Sequence, residues 1–330
     1  MNRVNIRDVA KRAGVSIATV SQVLTNASYS RISQKTKMKI LKIAKELDYT
    51  PNILARGLIT RRTSFIGVLI PDIVNSFFPD ILQGIENILI EKDYSMILCT
   101  YDKNYDKEKK YLKLLIKKNV DGIIWAPSKN IKNLYKEFIP WKQKIILICY
   151  DSYKYFTALH PNNKLGGYLA TEYLIKKGCK NIAHLSSSKV DIAGSERFKG
   201  YKKALIKYGI LFKKEMVMEG DYTLEWGYNN TKKLFSQGLN PDGIFACSDI
   251  VAIGAITYLK EKGYKIPDDI KIIGYDDIPI ASLVSPKLTT ISQPKIETGQ
   301  KAVQMIFDML NKKQVASQTL TPHLIIRESA

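Results

Sequence analysis

Two fold classes follow one another in this sequence: an N-terminal all-α helix-turn-helix domain, then an α/β core of two parallel-sheet subdomains. Three observations predict them. Residues 6–24, IRDVAKRAGVSIATVSQVL, hold two short helical patterns joined by Gly14-Val15-Ser16. From Phe65 onward, short apolar runs alternate with amphipathic stretches, the texture of parallel strands covered by helices on both faces. The alternation has too many units for one sheet of ordinary size, which predicts two subdomains.

The first predicted helix spans 6–13, with Val9, Ala10 and Ala13 on one face. Ala10 is small where a second helix crosses, Gly14 permits a left-handed turn, and Val15 and Val20 supply a shared core. Ser16 is the expected N-cap of the second helix, 17–24. A third helix is expected over 34–47, capped by Ser33, with a stripe of Met38, Leu41, Ala44 and Leu47. After Pro51, Asn52 can cap a short helix over 53–58, and the basic link Thr60-Arg61-Arg62-Thr63 follows.

In the core, strands are expected in FIGVLIP, YSMILCTY, VDGIIWAP, KIILICYD, NIAHLSS, GIFACSD and IKIIGYDD. Helices are expected over 78–91, 107–117, 165–177, 198–207, 225–236 and 250–262. Ligands of open α/β sheets bind outside the carboxyl ends of strands. The loops after Ile70, Tyr150, Leu185, Cys247 and Tyr275 are therefore the candidate wall of a pocket.

Charge is uneven. The chain carries a net +20, and its first 62 residues hold 13 Lys and Arg against 3 Asp and Glu. Half of the excess lies in about a fifth of the length, which points to a polyanionic partner for the N-terminal domain. No apolar run approaches the ~20 residues of a membrane span, and the N-terminus has no signal-peptide core, so a cytoplasmic protein with no membrane partner is expected. Cys99, Cys149, Cys179 and Cys247 are far apart and form no CxxC pair; buried free thiols are expected, with no metal and no cofactor. The histidines are His160, His184 and His323, and none lies in a nucleophile elbow or a metal motif. With no Walker loop and no GxGxxG, an enzyme is not expected.

The second helix, 17–24, carries small side chains where a surface helix usually carries Lys and Glu. A helix that enters the major groove needs this, because bulky side chains would hold its backbone away from the bases. Ser16, Thr19 and Ser21 suit phosphate oxygens, and Ile17, Ala18 and Gln22 are placed to reach base edges. Asn26 and Arg56 join them as candidate DNA contacts.

The stretches VNIRDVAKRAGVSIATVSQVLTN and LDYTPNILARGL resemble the DNA-binding domain of the lactose-repressor (LacI/GalR) family of bacterial transcription regulators. The likeness continues through IGVLIPDIVNSFFPDILQGIE, VDGIIWAP, NNKLGGYLATEYLIKKG, RFKGYKKAL and IPDDIKIIGYDDIPIASLVSPKLTTISQPK, nearly to the end of the chain. The resemblance implies a repressor homodimer with a periplasmic-binding-protein-like core, whose chain crosses between subdomains near His160, Thr290 and Leu320. The expected division is a DNA-binding domain at 1–50, a hinge helix and linker at 51–62, and a core at 63–330. Within that core, 63–160 and 291–320 form one subdomain, and 161–290 and 321–330 the other. The chain's end shows no heptads, so a dimer is expected rather than a tetramer.

The resemblance also assigns roles. The short helix ending at Leu58 would order on a palindromic operator, with Leu58 wedged into the minor groove. Gly57 weakens that helix when free, by about 1 kcal/mol relative to Ala. Where many members carry Arg, this chain has Gln22, which suits adenine rather than guanine; with Ile17 and Ala18 against thymine methyls, A/T-biased half-sites are expected.

For a small-molecule effector, the resemblance points to Arg197 in ERFKGY and Asp276 in IGYDD, and Tyr222 falls where some members place a stacking aromatic. Asp249, Asp151, Phe77 and Phe78 are further candidates. Arg with several carboxylates suits vicinal diols. A sugar or sugar phosphate is thus the expected effector, in a repressor of sugar-utilisation genes. Residues 191–193 lack the Arg and Thr that purine-binding members use. The alternatives are a non-sugar corepressor, or a solute-binding protein of the same core fold, which would not need the first 62 residues.

Overall fold

A computed structural model describes residues 4–24, 32–49, 62–74, 76–128, 131–150, 155–188 and 191–330, apart from the side chains of 131–133. The chain forms two compact units, one reaching to Ser64 and including Asn119–Asp121, the other holding the rest.

In the first unit, α1 (Ile6–Ala13) starts at a capping box: the Asn5 side chain accepts from the Arg7 and Asp8 N–H groups, and Asp8 accepts from the Asn5 N–H. Gly14 ends the helix at φ 66°, the left-handed turn that the sequence predicts. Helices α2 (Ile17–Leu24) and α3 (Gln34–Glu46) close a core of Val9, Ala10, Ala13, Val20, Val23, Ile40, Ile43 and Ala44. The stripe expected on α3 is corrected here. Met38 and Leu41 are exposed, and the buried face runs through Ile40, Ile43 and Ala44. The spacing 38–41–44 drifts around a helix of 3.6 residues per turn, and the β-branched Ile40 and Ile43 take the inner face.

The second unit holds two six-stranded sheets. The first contains β1 (Phe65–Ile70), β2 (Ser95–Thr100), β3 (Gly122–Trp125), β4 (Ile145–Ile148), β5 (Thr157–Pro161) and β11 (Gln318–Leu320), in the order β11-β5-β4-β3-β1-β2 and wholly parallel. Helices α4 (Phe77–Glu91), α5 (Tyr105–Lys117), α6 (Ile131–Phe138) and α11 (Lys295–Leu310) belong to this half. The second sheet contains β6 (Ile182–Ser187), β7 (Val217–Gly220), β8 (Gly243–Ala246), β9 (Lys271–Asp276), β10 (Thr289–Ser292) and β12 (His323–Ile325). Its order is β12-β10-β9-β8-β6-β7, with β12 alone antiparallel. Helices α7 (Asn163–Lys176), α8 (Ile192–Lys207), α9 (Leu224–Ser236) and α10 (Asp249–Glu261) cover it. The chain passes between the sheets after Pro161, Ser292 and Leu320, so three segments join the two halves.

The central strands β1, β3, β4, β6 and β8 are almost entirely buried, as continuous Ile, Leu and Val runs require in a two-faced parallel sheet. His184 on β6 is an exception in chemistry only. It is fully buried and stacked against Phe245, Tyr201 and Phe198, and its Nδ1–H donates to the Phe245 carbonyl at 2.9 Å. Its Nε2 has no partner among the described residues. Burial, with Arg197 adding to it, depresses its pKa to about 4. A depressed histidine pKa gives stability that is complete above the unfolded value near 6.5 and is lost as pH falls toward 4. Between pH 7 and pH 5 this contribution falls by about 2 kcal/mol. Urea titrations at the two pH values are expected to show that loss, and His184→Phe is expected to remove it.

Candidate functional site

The first candidate site is the outer face of α2. Ser16 caps the helix as expected, its Oγ accepting from the Thr19 N–H at 3.1 Å. Ile17, Ala18 and Gln22 are exposed and Thr19 and Ser21 half-buried, while Val20 and Val23 face the core. At 3.6 residues per turn, Ile17, Ser21, Ala18 and Gln22 share an arc of about 140°. Ile17, uncharged and 45% exposed, stands at its edge. Arg7, Lys11, Arg12, Lys35 and Lys39 are exposed on the flanking helices, and Arg12 is tied to Glu46 at 3.2 Å. Asn26, Arg56, Leu58 and the proposed hinge helix lie outside the described residues.

The second candidate site is a cleft of 540 Å³ at the carboxyl ends of both sheets. Strand ends from both halves meet here: Pro71 follows β1, Ala126 follows β3, Cys149 follows β4, Asp191 and Tyr222 follow β6 and β7, Ser248 follows β8, and Asp276 ends β9. A wider groove of 1220 Å³ lies at the opposite, amino ends of β4, β5 and β11, where Lys142, Lys312 and Lys313 face solvent. Of these two, the cleft is the one lined by buried polar groups, Asn163, Arg197, Ser248, Asp276 and Gln293.

Arg197 is central to it. Its side chain is 5% exposed, on the second turn of α8. Nε donates to Asn163 Oδ1 at 2.9 Å and Nη1 to the Cys247 carbonyl at 2.5 Å, and Nη2 lies 3.7 Å from Asp276 Oδ1. The guanidinium stacks 3.7 Å from the Tyr275 ring centroid. Close crossing of α7 and α8 fixes this geometry: a Cβ on Gly167 would lie 2.1 Å from the Arg197 carbonyl oxygen. Asp276 stands at φ 108°, and its Oδ1 accepts from Gln293 Nε2 at 2.5 Å. Burial pushes its carboxyl above the usual range, against the pull of Arg197, Gln293 and Lys295. Asp191 accepts from Ser187 Oγ at 2.7 Å and from the Tyr222 hydroxyl. Burial and then Asp191 raise the Tyr222 phenol well above its ordinary value, so it remains a donor. Phe77 and Phe78 line the other side, edge to face at 5.2 Å.

Arg197, Asp276, Tyr222, Phe77 and Phe78 thus line one cleft. Asp249 does not. The expectation that it faces a ligand is corrected: Ser248 and Ile250 reach the cleft, and Asp249 turns beneath it, fully buried. Its carboxylate accepts from the Ile278 N–H at 2.8 Å and from Thr290 Oγ1 at 2.5 Å. The helix-capping role belongs to Ser248, which accepts from the Val251 N–H. Asp151 lies outside the described residues. Cys99, Cys179 and Cys247 are buried and free as expected, but Cys149 is half-buried and lines the cleft. Burial pushes its thiol up to about 12, so it is a poor nucleophile.

Asn163 and Gln293 were not singled out by sequence, and Asp191 only as one of the positions that lack the Arg and Thr of purine-binding members. Asn163 and Gln293 follow the crossings after Pro161 and Ser292, and Asp191 lies four residues beyond the end of β6. Among the described residues no group of three metal-ligating side chains occurs, and no helix is long and apolar enough to cross a membrane.

Residues 5–52 match the profile of bacterial regulatory proteins of the lacI family, and residues 171–330 match that of a periplasmic binding protein-like domain. The HTH-type transcriptional regulator RegA of Clostridium saccharobutylicum is 37% identical, over 98% of both chains. The chain belongs to the lacI family of bacterial regulatory proteins. It is a DNA-binding transcriptional regulator and not an enzyme. The ribose operon repressor of Halalkalibacterium halodurans is 34% identical over 98% of this chain and 96% of its own. The fold matches that of the lac repressor dimer bound to operator and an anti-inducer, with TM-score 0.90 and 25% identity over 99% of both chains. A LacI-family regulator from Enterococcus faecium with bound ribose aligns with TM-score 0.72 and 32% identity, over 80% of this chain and 98% of its own.

Proposed function

We propose that this LacI-family regulator is a cytoplasmic repressor that holds a palindromic operator as a homodimer and releases or tightens it when a sugar or sugar phosphate fills the cleft. The observation that supports this reading most is the convergence of Arg197, Asp276, Asp191, Tyr222 and Gln293 beside Phe77. Fixed planar donors and acceptors match ring hydroxyls, and an aromatic face matches the ring's apolar side. The ribose named for two similar proteins agrees with it. We divide the chain accordingly: 1–50 reads DNA, 51–62 serves as the hinge and linker with Arg56 and Leu58 on the operator, and the two core subdomains, 63–160 with 291–320 and 161–290 with 321–330, hold the effector between them.

The test starts with genomic DNA fragments retained by the purified protein. Operator affinity is then measured with pentoses, hexoses, their phosphates, guanine and hypoxanthine. A shift with a sugar or sugar phosphate supports the reading. A shift with a purine alone replaces it with a purine corepressor.

Ile17, Ala18 and Gln22 are proposed to face bases, with Ser16, Thr19, Ser21 and Asn26 on the backbone. Gln22→Arg is expected to move one half-site position from A toward G. A good bidentate pair discriminates by about 1–3 kcal/mol, roughly 5- to 150-fold. Selection from random DNA with both proteins measures this, and an unchanged position would remove Gln22 from the base contacts.

A further inference from the structure

Lys295 is the first residue of α11 and is 7% exposed, yet it does not line the cleft. Its ammonium donates to the carbonyls of Asp276 at 3.0 Å and Asp277 at 2.8 Å, and lies 3.0 Å from Asp80 Oδ2. These oxygens come from both halves of the core. Asp276 ends the strand β9 of the second sheet, and Asp277 follows it. Asp80 is in the first turn of α4, in the half built on the first sheet.

Two further facts give this contact a purpose. Asp276 and Asp277 stand at φ 108° and 51°, a region that residues with a Cβ rarely occupy. Such backbone persists only where its surroundings hold it, and here one ammonium takes both carbonyls. Arg327 Nη2 adds a bond to Asp277 Oδ1 at 2.7 Å. The second fact is the rigidity of the other side. Helices α4 and α11 meet backbone to backbone: a Cβ on Gly84 would lie 2.1 Å from the Ile296 carbonyl oxygen, and one on Gly299 the same distance from that of Ile81. The α4 helix also carries Phe77 and Phe78 into the cleft.

We infer that Lys295 is a positioning residue that sets the Asp276 carboxylate for the effector and transmits its occupancy to α4 through Asp80. It touches no effector itself. The inference rests on the cleft being the effector site. Any shift of the Asp276–Asp277 backbone upon binding moves two of the three oxygens around the ammonium. The third, on Asp80, must follow or lose its partner, because a buried charge is poorly tolerated unpaired.

The experiment is a double-mutant cycle of Lys295→Met, Asp80→Asn and both together, in the full-length dimer with its operator. D-ribose is the first probe, with D-ribose 5-phosphate and D-glucose 6-phosphate in parallel. Two quantities are read: the sugar Kd, and the ratio of operator affinities with and without sugar. Lys295→Met is expected to raise the Kd about 10-fold and bring the ratio below about 2, given that couplings commonly span 5–150-fold. Asp80→Asn, whose side chain is a third exposed, is expected to change the Kd less than about threefold but to reduce the ratio comparably. The double variant is expected to be no worse than Lys295→Met, because the two act as one contact. A merely structural role would lower the melting temperature and leave the ratio untouched. That outcome, in a folded Asp80→Asn protein, overturns the inference. A wild-type protein indifferent to every sugar overturns the reading of the cleft instead, and the inference with it.

Discussion

Arg197→Ala is expected to abolish the effector response while leaving effector-free operator affinity within about threefold of wild type, since the DNA-reading helix and the cleft belong to different compact units. The substitution removes the donors to Asn163 and Cys247, the charge facing Asp276 and the stack on Tyr275. Breaking a buried ionic contact costs about 3–5 kcal/mol of stability, while the charged hydrogen bonds lost to the effector are worth about 1.5–3 kcal/mol, roughly 10- to 100-fold in affinity. Asp276 limits the damage to the fold. Burial already raises its pKa, and Arg197 is the largest force opposing that rise. Without Arg197 the carboxyl takes up a proton more readily. An acid whose folded pKa lies above its unfolded value contributes stability that is present at low pH and lost as pH rises through the folded pKa. The variant is therefore expected to be closer to wild type in stability at pH 5.5 than at pH 8. Arg197→Lys keeps a charge but not the planar fork, and is expected to fall between the two proteins in effector affinity. Calorimetry, operator titration and melting curves at both pH values measure these effects. A folded Arg197→Ala protein with a normal response would remove Arg197 from the effector's chemistry.

The sequence exposed the parts of this fold that carry strong local signals. Gly14 between two short apolar-patterned helices could be read because a left-handed residue and a shared Val20 core leave few alternatives. The central strands could be read because parallel sheets buried on both faces need unbroken apolar runs. The edges could not. Thr289–Ser292 is buried but built of Thr and Ser, whose pairing with β9 is a tertiary fact. Helix α11 went unread because its buried face is broken up by small and polar residues: Lys295 and Gly299, placed by contact with β9 and α4, and Thr298, whose hydroxyl donates to the Pro294 carbonyl. Helix α8 starts at Ile192, six residues before the expected 198, because Asp191 and Ser187 at its entry bond each other and Tyr222. The same limit applies to the cleft. Arg197 and Asp276 lie in motifs that resemblance marks, while Asp191 and Gln293 have no motif of their own and matter only because strand ends bring them together.

Asp249 shows what a one-residue difference in side-chain direction does to such a reading. In CSDIVAIG, Ser248 and Asp249 are both good helix-starting residues, and only the fold decides that Ser248 caps and Asp249 turns inward. Burial, and then the nearby Asp276, raise the Asp249 pKa well above the ordinary range. Asn keeps the side chain's shape without its charge. Its carbonyl can accept from the Ile278 N–H as Asp249 does, and its amide can donate to Thr290 Oγ1, whose hydroxyl donates to Asp249 in the wild type. Asp249→Asn is thus expected to stay within about 1 kcal/mol of wild type in stability and to keep its effector response. Asp249→Ala leaves both partners buried and unpaired, at about 1–3 kcal/mol each, and is expected to lose roughly 3 kcal/mol or more. The pH dependence separates the variants further. The raised acid in wild type gives stability that fades as pH climbs through its folded pKa, and Asp249→Asn lacks that decline. Urea titrations between pH 5 and pH 8 measure it. If Asp249→Ala instead melted like wild type and lost only its effector, the carboxylate would belong to the ligand, and the strap from α10 to Ile278 and Thr290 would be incidental.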